Sequence, residues 1–287
     1  MDLGLVFAST EGLQGFAPVL SRVQMGERAA ISELIVAAAF VRLGYRPTLE
    51  PEIRGRKPDF SIAIHESNLV LFEVVTPETS QLMRRLSEEL IEAANCLRAT
   101  VPGACVSVVF VAEPETRARE IVSAAVRKLG IPDEGENVAE IPDLAHIRIR
   151  RFTPQATSFE PFSPRPDVAL GAASFQFNPD GTGTRVNALI AFTDERADRF
   201  LEGEARHFAR EACNVLVMDL SAVPGGMNGW RPLLERRFQP TLNRRFSAVI
   251  LFQTSVEGIA RKWVVIPNPY AYTALPNSLV LRLDGLH

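Results

Sequence analysis

A long, mostly apolar stretch of helical character lies over residues 24–44 in the first half of the chain. It ends at Gly44, and Glu33 lies inside it. A helix that is apolar on nearly every side is buried in the protein. A buried carboxylate is costly unless it has a partner, so Glu33 is the first candidate functional residue.

Two strands joined by a turn are predicted after this helix. Residues 60–64 alternate apolar and polar side chains, which is typical of a half-buried strand. Residues 69–75 form an apolar run interrupted only by Glu73, which indicates a buried strand. The pattern then predicts helices over 77–97 and 114–129, a buried strand over 105–112 and a half-exposed edge strand over 146–152.

The second half of the chain continues this alternation after a proline-rich segment. Residues 153–172 show no periodicity and indicate a linker. The pattern then predicts a hairpin over 174–177 and 184–192, a helix over 195–212, a flexible glycine-rich loop over 224–230, and strands over 214–220, 246–252 and 262–266. The expected fold is α/β, with an N-terminal domain over 1–152. Residues 173–287 form either a second α/β module or an extension of the same sheet.

Composition and charge exclude several classes of protein. The chain is 46% apolar and 23% charged, which is typical of a globular protein. Its formal net charge of -3 gives no global positive field, so nucleic acid would bind only through a local patch. Asp2 stands where a signal peptide needs basic residues, and the longest apolar run, 34–41, is too short to span a bilayer. The three cysteines are scattered, and we expect a cytoplasmic protein without membrane contact.

Asp59 and Glu73 are the residues best suited to metal-dependent chemistry. They lie on adjacent predicted strands joined by a turn, so strand alternation allows both side chains to share one face. Two facing carboxylates repel each other unless a proton or a cation lies between them. Oxygen ligands suit Mg²⁺ and Mn²⁺, which activate water and stabilise charge on a phosphoryl oxygen. We therefore expect a Mg²⁺ or Mn²⁺ site at Asp59 and Glu73.

The order of these residues resembles the PD-(D/E)XK nuclease superfamily. A helix with Glu33 is followed by Pro58-Asp59, a hairpin and Glu73 near the end of an apolar strand, and the resemblance covers roughly residues 24–112. It implies a restriction-endonuclease-like mixed central sheet flanked by helices. It also implies that Asp59 and Glu73 bind the metal, that Glu33 assists, and that the protein hydrolyses DNA phosphodiesters as an endonuclease or exonuclease.

One position departs from the family pattern. The family has a lysine two residues after the second acid, where it helps to orient or activate the attacking water, and here that residue is Val75. The chain has only three lysines, and only Lys57 lies near the acids in the sequence. Lys57 is therefore a candidate substitute, with Arg84 and Gln81 as further candidates. The alternative is that Lys57 belongs to an exposed basic cluster over 54–57.

The basic residues near these acids leave two functional hypotheses open. Arg54, Arg56 and Arg84 are candidate contacts for DNA phosphates in a local basic patch, and a solvated surface is the alternative. If nothing replaces the family lysine, the chain is instead an inactive nuclease-fold module. Such a module would bind a protein or nucleic-acid partner, or a second copy of the chain.

Residue types that bind metals also occur at helical spacing in the second half. Glu204, His207 and Glu211 would lie on one face of the helix predicted over 195–212. Only one of them is a histidine, and no second cluster of ligand residues supports them. We interpret them as an exposed polar face.

Overall fold

A computed structural model of the chain describes residues 3–53, 55–65, 68–153, 169–191, 196–223, 226–254 and 260–283. The described helices are α1 (Leu3–Thr10), α2 (Phe16–Gln24), α3 (Arg28–Arg42), α4 (Gln81–Thr100), α5 (Thr116–Leu129), α6 (Arg196–Glu204), α7 (Gly226–Glu235) and α8 (Asn277–Leu283). The described strands are β1 (Thr48–Leu49), β2 (Phe60–His65), β3 (Asn68–Val75), β4 (Ala104–Phe110), β5 (Glu136–Ile141), β6 (Ala145–Arg151), β7 (Ala169–Phe177), β8 (Gly183–Ala191), β9 (Cys213–Asp219), β10 (Ala248–Thr254) and β11 (Ala260–Pro267). None of the helices within these ranges combines the length and the apolar character that a membrane span requires.

The fold is α/β, as predicted, and contains two mixed sheets flanked by helices. The chain divides into two compact units: unit 1 comprises 1–78 and 194–287, and unit 2 comprises 79–193. This division differs from the predicted boundaries at 152 and 173, because the strand that follows β3 in the sequence belongs to a different sheet. Most of the predicted linker, residues 154–168, lies outside the described residues.

Unit 1 contains a six-stranded mixed sheet in the order β1-β2-β3-β9-β10-β11. The first three strands form an antiparallel meander. Strands β3, β9 and β10 are parallel, and β11 returns antiparallel to β10. The last three strands therefore extend the sheet that begins with the hairpin of Asp59 and Glu73.

Helix α3 is packed against this hairpin by aromatic side chains. The helix is buried along most of its length, including Glu33, as its apolar sequence predicts. The ring of Phe40 lies 4.7 Å from the ring of Phe72, and Phe72 stacks on Phe60 at 4.4 Å. All three rings are fully buried, so their close packing holds α3 at a defined position over β2 and β3.

Unit 2 contains a five-stranded mixed sheet in the order β5-β6-β4-β8-β7. The predicted hairpin is confirmed: β7 and β8 pair antiparallel, and the N–H of Asn178 donates to the carbonyl oxygen of Thr182 across the turn at 2.8 Å. On β7, Ser174 Oγ donates a 2.7 Å hydrogen bond to Asn95 Oδ1 on α4. The sheet and α4 are therefore joined by polar as well as apolar contacts.

Three elements differ from the prediction. The strand predicted at a sheet edge is β6, which lies between β5 and β4 because β5 pairs along its outer side. The predicted glycine-rich loop is wrong, since residues 226–230 begin α7, in which Met227, Trp230 and Leu233 are buried at helical spacing. The helix predicted over 195–212 ends at Glu204, and the turns beyond it bury Phe208.

Candidate functional site

The two predicted metal ligands face each other at the hairpin of β2 and β3. Phe60 pairs with Phe72 in this hairpin. One residue further along the same register, Asp59 lies opposite Glu73, and their side chains are hydrogen bonded to each other. The backbone N–H of Val74 donates a 2.6 Å hydrogen bond to Asp59 Oδ2. The strand pairing therefore places both carboxyls on one face, as their spacing predicts.

Burial prevents this carboxyl pair from carrying two negative charges. Glu73 is 5% exposed, and burial together with the charge of Asp59 raises the pKa of Glu73 to about 10. Burial also raises the pKa of Asp59, against the lowering effect of its hydrogen bonds from Val74 and Glu73. The two neighbouring carboxyls therefore share a proton in the hydrogen bond between them, since both pKa values are raised.

Glu33 adds a third carboxyl from α3, and its partner is an arginine on α2. Arg22 Nη1 donates to Glu33 Oε1 at 2.9 Å, and Nη2 donates to Glu33 Oε2 at 2.6 Å. Nη2 also donates to Glu50 Oε1 at 2.9 Å. Burial raises the pKa of Glu33 to about 7 in spite of this pairing, and the charge of Asp59 acts in the same direction. The hydrogen bonds to Glu33 in turn raise the pKa of Arg22, so its guanidinium stays charged.

A close backbone contact places α2, and with it Arg22, beside β1. Gly15 precedes α2 with a φ of 84°, and a Cβ atom there would lie 2.1 Å from the carbonyl oxygen of Leu49. The N–H of Leu49 donates to the carbonyl oxygen of Gln14 at 2.9 Å. Only glycine fits both this left-handed backbone and this approach. Because Glu50 follows Leu49, the same contact brings both members of the Arg22–Glu50 pair together.

A second polar contact joins α3 to the carboxyl end of β9. Ser32, the neighbour of Glu33, donates a 2.7 Å hydrogen bond from Oγ to Asp219 Oδ2. The other oxygen of Asp219, Oδ1, accepts from the backbone N–H of Ser221 at 2.9 Å. Asp219 is therefore a structural residue that helps to hold the helix of Glu33 in register with the sheet.

The end of α6 brings two further ligand-type residues to Glu73. His207 Nδ1 lies 3.2 Å from Glu73 Oε1 and 3.3 Å from Glu204 Oε2. One ligand atom from each of these three residues lies within 4.8 Å of the other two. Burial raises the pKa of Glu204, while the neighbouring His207 lowers it. The side chain of His207 is 56% exposed, so the cluster extends from the buried Glu73 to solvent.

This arrangement corrects the interpretation of Glu204 as part of an exposed polar face, whereas His207 and Glu211 are exposed as interpreted. The side chain of Glu204 is only 21% exposed, since it is turned toward Glu73 and His207. Glu211 does not share its helical face, because α6 ends at Glu204. The segment between them is held in place by the fully buried Phe208, whose ring packs edge-on against Phe246 at 5.4 Å.

The structure unites the predicted acids, but it does not place the predicted lysine among them. Glu33, Asp59 and Glu73 form one cluster within unit 1. Lys57 is exposed and makes no hydrogen bond or ion pair within the described part of the chain. The cation that acts on Glu33 and Asp59 is Arg22, which the sequence analysis did not consider.

The residues predicted to contact DNA are divided between the two units and a position outside the described residues. Arg56 lies in the loop before β2, where its backbone forms a bridge with Ile53. Arg84 is exposed on α4 and belongs to unit 2, as does the other candidate Gln81. Arg54 lies outside the described residues. A basic patch for DNA therefore stays a prediction.

Comparisons with known protein families, curated proteins and solved structures gave no match. The class of protein can therefore be inferred only from the fold and from the geometry of the site. Unit 1 is an α/β unit with buried acids, a guanidinium on one side and an imidazole on the other. Carboxylate and imidazole groups are suitable ligands for a divalent metal ion. Glu73 Oε1, which is buried without a hydrogen bond, fits the same group because a bound cation would satisfy it.

Proposed function

We propose that unit 1 is a metal-dependent nuclease domain that hydrolyses DNA phosphodiesters. The observation that carries this proposal is the hydrogen-bonded pair of carboxyls on the half-buried Asp59 and the buried Glu73, each with a raised pKa. A divalent cation would replace the proton between them and allow both carboxylates to ionise. Paired carboxylates of this kind are ligands that Mg²⁺ and Mn²⁺ prefer.

The order of elements within unit 1 supports the resemblance to the PD-(D/E)XK superfamily. Helix α3 carries Glu33, and the β2–β3 hairpin carries Pro58-Asp59 and Glu73. Within unit 1 the next elements are α6 and β9, and β9 is parallel to β3. The expected order of helix, hairpin, strand, helix and strand is therefore kept if unit 2 is an insertion. The resemblance then excludes α4 and β4, which follow Glu73 directly but belong to unit 2.

Each residue of the cluster has a separate role in this proposal. Asp59 and Glu73 hold the metal, which when bound would activate water and stabilise charge on the phosphoryl oxygens. Glu33 fixes the guanidinium of Arg22 through two hydrogen bonds. The charge of Arg22 lowers the pKa of Asp59, so it favours the ionised form that a metal ligand needs. Arg22 is thus a positioning residue that acts through Glu33 and Asp59.

Plasmid cleavage by the full chain tests this proposal. Supercoiled DNA is incubated with the protein in Mg²⁺, in Mn²⁺ and in EDTA, and nicked and linear products are separated on gels. We expect cleavage only with metal, and we expect its loss in Asp59→Asn and Glu73→Gln. Glu52→Gln removes an exposed acid before β2 and is the matched control, which should keep activity. Cleavage that persists in EDTA or in both site variants would refute the proposal.

One observation favours a second candidate, an inactive nuclease-fold module that binds a partner. Val75 occupies the position of the family lysine, and Lys57 is exposed without an ion pair in the described structure. On this hypothesis neither metal supports cleavage and Mg²⁺ leaves the melting temperature unchanged. A Mg²⁺-dependent rise in the melting temperature would count against it, since a bound metal stabilises the folded state.

A further inference from the structure

Glu204 and His207 lie beside Glu73, but the metal site proposed at Asp59 and Glu73 assigns them no role. His207 Nδ1 lies 3.2 Å from Glu73 Oε1, yet this oxygen is buried and makes no hydrogen bond. The same nitrogen lies 3.3 Å from Glu204 Oε2. A buried oxygen and a ring nitrogen that lie close together without hydrogen bonding are arranged like two ligands of a common ion.

We propose that Glu73, Glu204 and His207 bind one divalent transition-metal ion in preference to Mg²⁺. This inference rests on the proposed function, because it completes the metal centre of unit 1 with Glu204 and His207. It adds two ligands that the PD-(D/E)XK resemblance does not supply. The probe for the ion is Mn²⁺.

The distances between the ligand atoms fit a single ion. In an octahedral site with metal–ligand bonds of about 2.1 Å, adjacent ligand atoms lie about 3.0 Å apart and opposite ones about 4.2 Å apart. The distances of His207 Nδ1 from the two carboxylate oxygens, 3.2 and 3.3 Å, are close to the adjacent spacing. All three ligand atoms lie within 4.8 Å of one another, so small side-chain adjustments bring them to one centre.

The imidazole of His207 determines which metal the site prefers. Mg²⁺ takes oxygen ligands and keeps several of its waters. Imidazole is a ligand of first-row transition metals, and Mn²⁺ also accepts carboxylates. Two carboxylates with one imidazole therefore favour Mn²⁺ over Mg²⁺, whereas Asp59 and Glu73 alone would not distinguish strongly between them.

The local fold holds these ligands in place while leaving the site open. Leu201 and Phe208, on either side of Glu204 and His207, are fully buried. Arg245 Nη1 donates a 3.0 Å hydrogen bond to the carbonyl oxygen of Ala205 between the two ligands. The exposed imidazole leaves coordination positions on the solvent side for water or a phosphate oxygen, which a catalytic metal requires.

Metal binding by the full chain, measured without nucleic acid, tests this inference. Titration followed by Mn²⁺ electron paramagnetic resonance gives the Mn²⁺ affinity, and competition gives the Mg²⁺ affinity. Pulsed resonance on protein with ¹⁵N-labelled histidine detects nitrogen bound to Mn²⁺. The variants are His207→Gln and Glu204→Gln, and the matched controls are His146→Gln in unit 2 and Glu202→Gln on the exposed side of α6.

We expect Mn²⁺ to bind at least about tenfold more tightly than Mg²⁺, with a nitrogen coupling that His207→Gln abolishes. Both site variants should weaken Mn²⁺ binding about tenfold or more, while His207→Gln changes Mg²⁺ affinity less than about threefold. The inference is overturned if wild-type protein binds no Mn²⁺, or if His207→Gln keeps full affinity. In that last case Mg²⁺-dependent plasmid cleavage would leave the proposed function intact. Nitrogen coupling without any cleavage would support the site and refute the nuclease.

Discussion

Replacing Glu73 with glutamine should stabilise the metal-free protein above neutral pH. Glutamine keeps the length of the side chain and donates a hydrogen bond to Asp59 through its amide, but it never ionises. In the wild type, burial and the charge of Asp59 raise the pKa of Glu73 from 4.5 to about 10. Above pH 4.5 the unfolded chain loses a proton that the folded chain keeps. The wild-type free energy of unfolding therefore falls as the pH rises from 4.5 toward 10.

The size of this effect follows from the pKa shift. A shift of one pKa unit corresponds to about 1.4 kcal/mol. Between pH 4.5 and pH 8 the group therefore lowers the free energy of unfolding of the wild type by up to about 5 kcal/mol. Glu73→Gln has no such loss. We expect the variant to match the wild type near pH 4.5 and to be about 3 to 5 kcal/mol more stable at pH 8.

Urea unfolding in EDTA at a series of pH values measures this difference. The two tryptophans of the chain, Trp230 and Trp263, are buried in unit 1, so their fluorescence reports on this unit. Glu202→Gln removes an exposed acid from α6 and should leave the pH profile unchanged. A Glu73→Gln variant that is less stable than the wild type at pH 8, or a difference that does not widen with pH, would contradict the raised pKa of Glu73.

Three further predictions follow from the same contacts. Arg22→Gln should lower the free energy of unfolding by about 3 kcal/mol because it leaves the buried Glu33 without its cation, and a urea double-mutant cycle with Glu33→Gln should show coupling rather than additivity. Mn²⁺ affinity should fall as the pH falls from about 8 to 6, because protons compete with the metal for acids whose pKa values are raised, to about 7 for Glu33 and about 10 for Glu73. Calorimetry in two buffers should detect the protons released on binding, and an affinity independent of pH would contradict this. Gly15→Ala should destabilise unit 1 by about 2 kcal/mol or more, whereas Gly12→Ala, which has open space, should be nearly neutral in the same urea assay; equal stability of the two variants contradicts the contact with β1.

The pattern of apolar and polar residues predicts the elements that carry Glu33, Asp59 and Glu73. The apolar helix around Glu33 and the two strands beside Asp59 and Glu73 are visible in the sequence because each element buries its own side chains. The facing of Asp59 and Glu73 follows from strand alternation across a short turn. These predictions required no knowledge of distant contacts.

Long-range partners could not be predicted in the same way. Periodicity indicates that 105–112 is a buried strand, but it does not indicate which sheet the strand joins, and β4 pairs with β6 and β8 in unit 2. Arg22 reaches Glu33 only because α2 approaches β1 at Gly15. A glycine before a short amphipathic helix gives a weak signal of such an approach.

The spacing of Glu204 and His207 is visible in the sequence, but the helix predicted over 195–212 is longer than α6, which ends at Glu204. The residues beyond Glu204 are apolar at Phe208 and Ala209, which suits a helical stripe as well as a turn packed into the core. Sequence periodicity does not separate these cases. The end of α6 is decided by packing, and this end is what brings His207 to Glu73.

A crystal structure of the full chain grown with Mn²⁺, with anomalous data collected at the manganese edge, shows directly whether the acids of unit 1 form a metal centre. We expect one strong anomalous peak within coordination distance of Glu73, bordered by Asp59 and His207. The absence of a peak at this cluster at saturating Mn²⁺, with Asp59 and Glu73 still hydrogen bonded to each other, would contradict the claim that these acids form a metal centre.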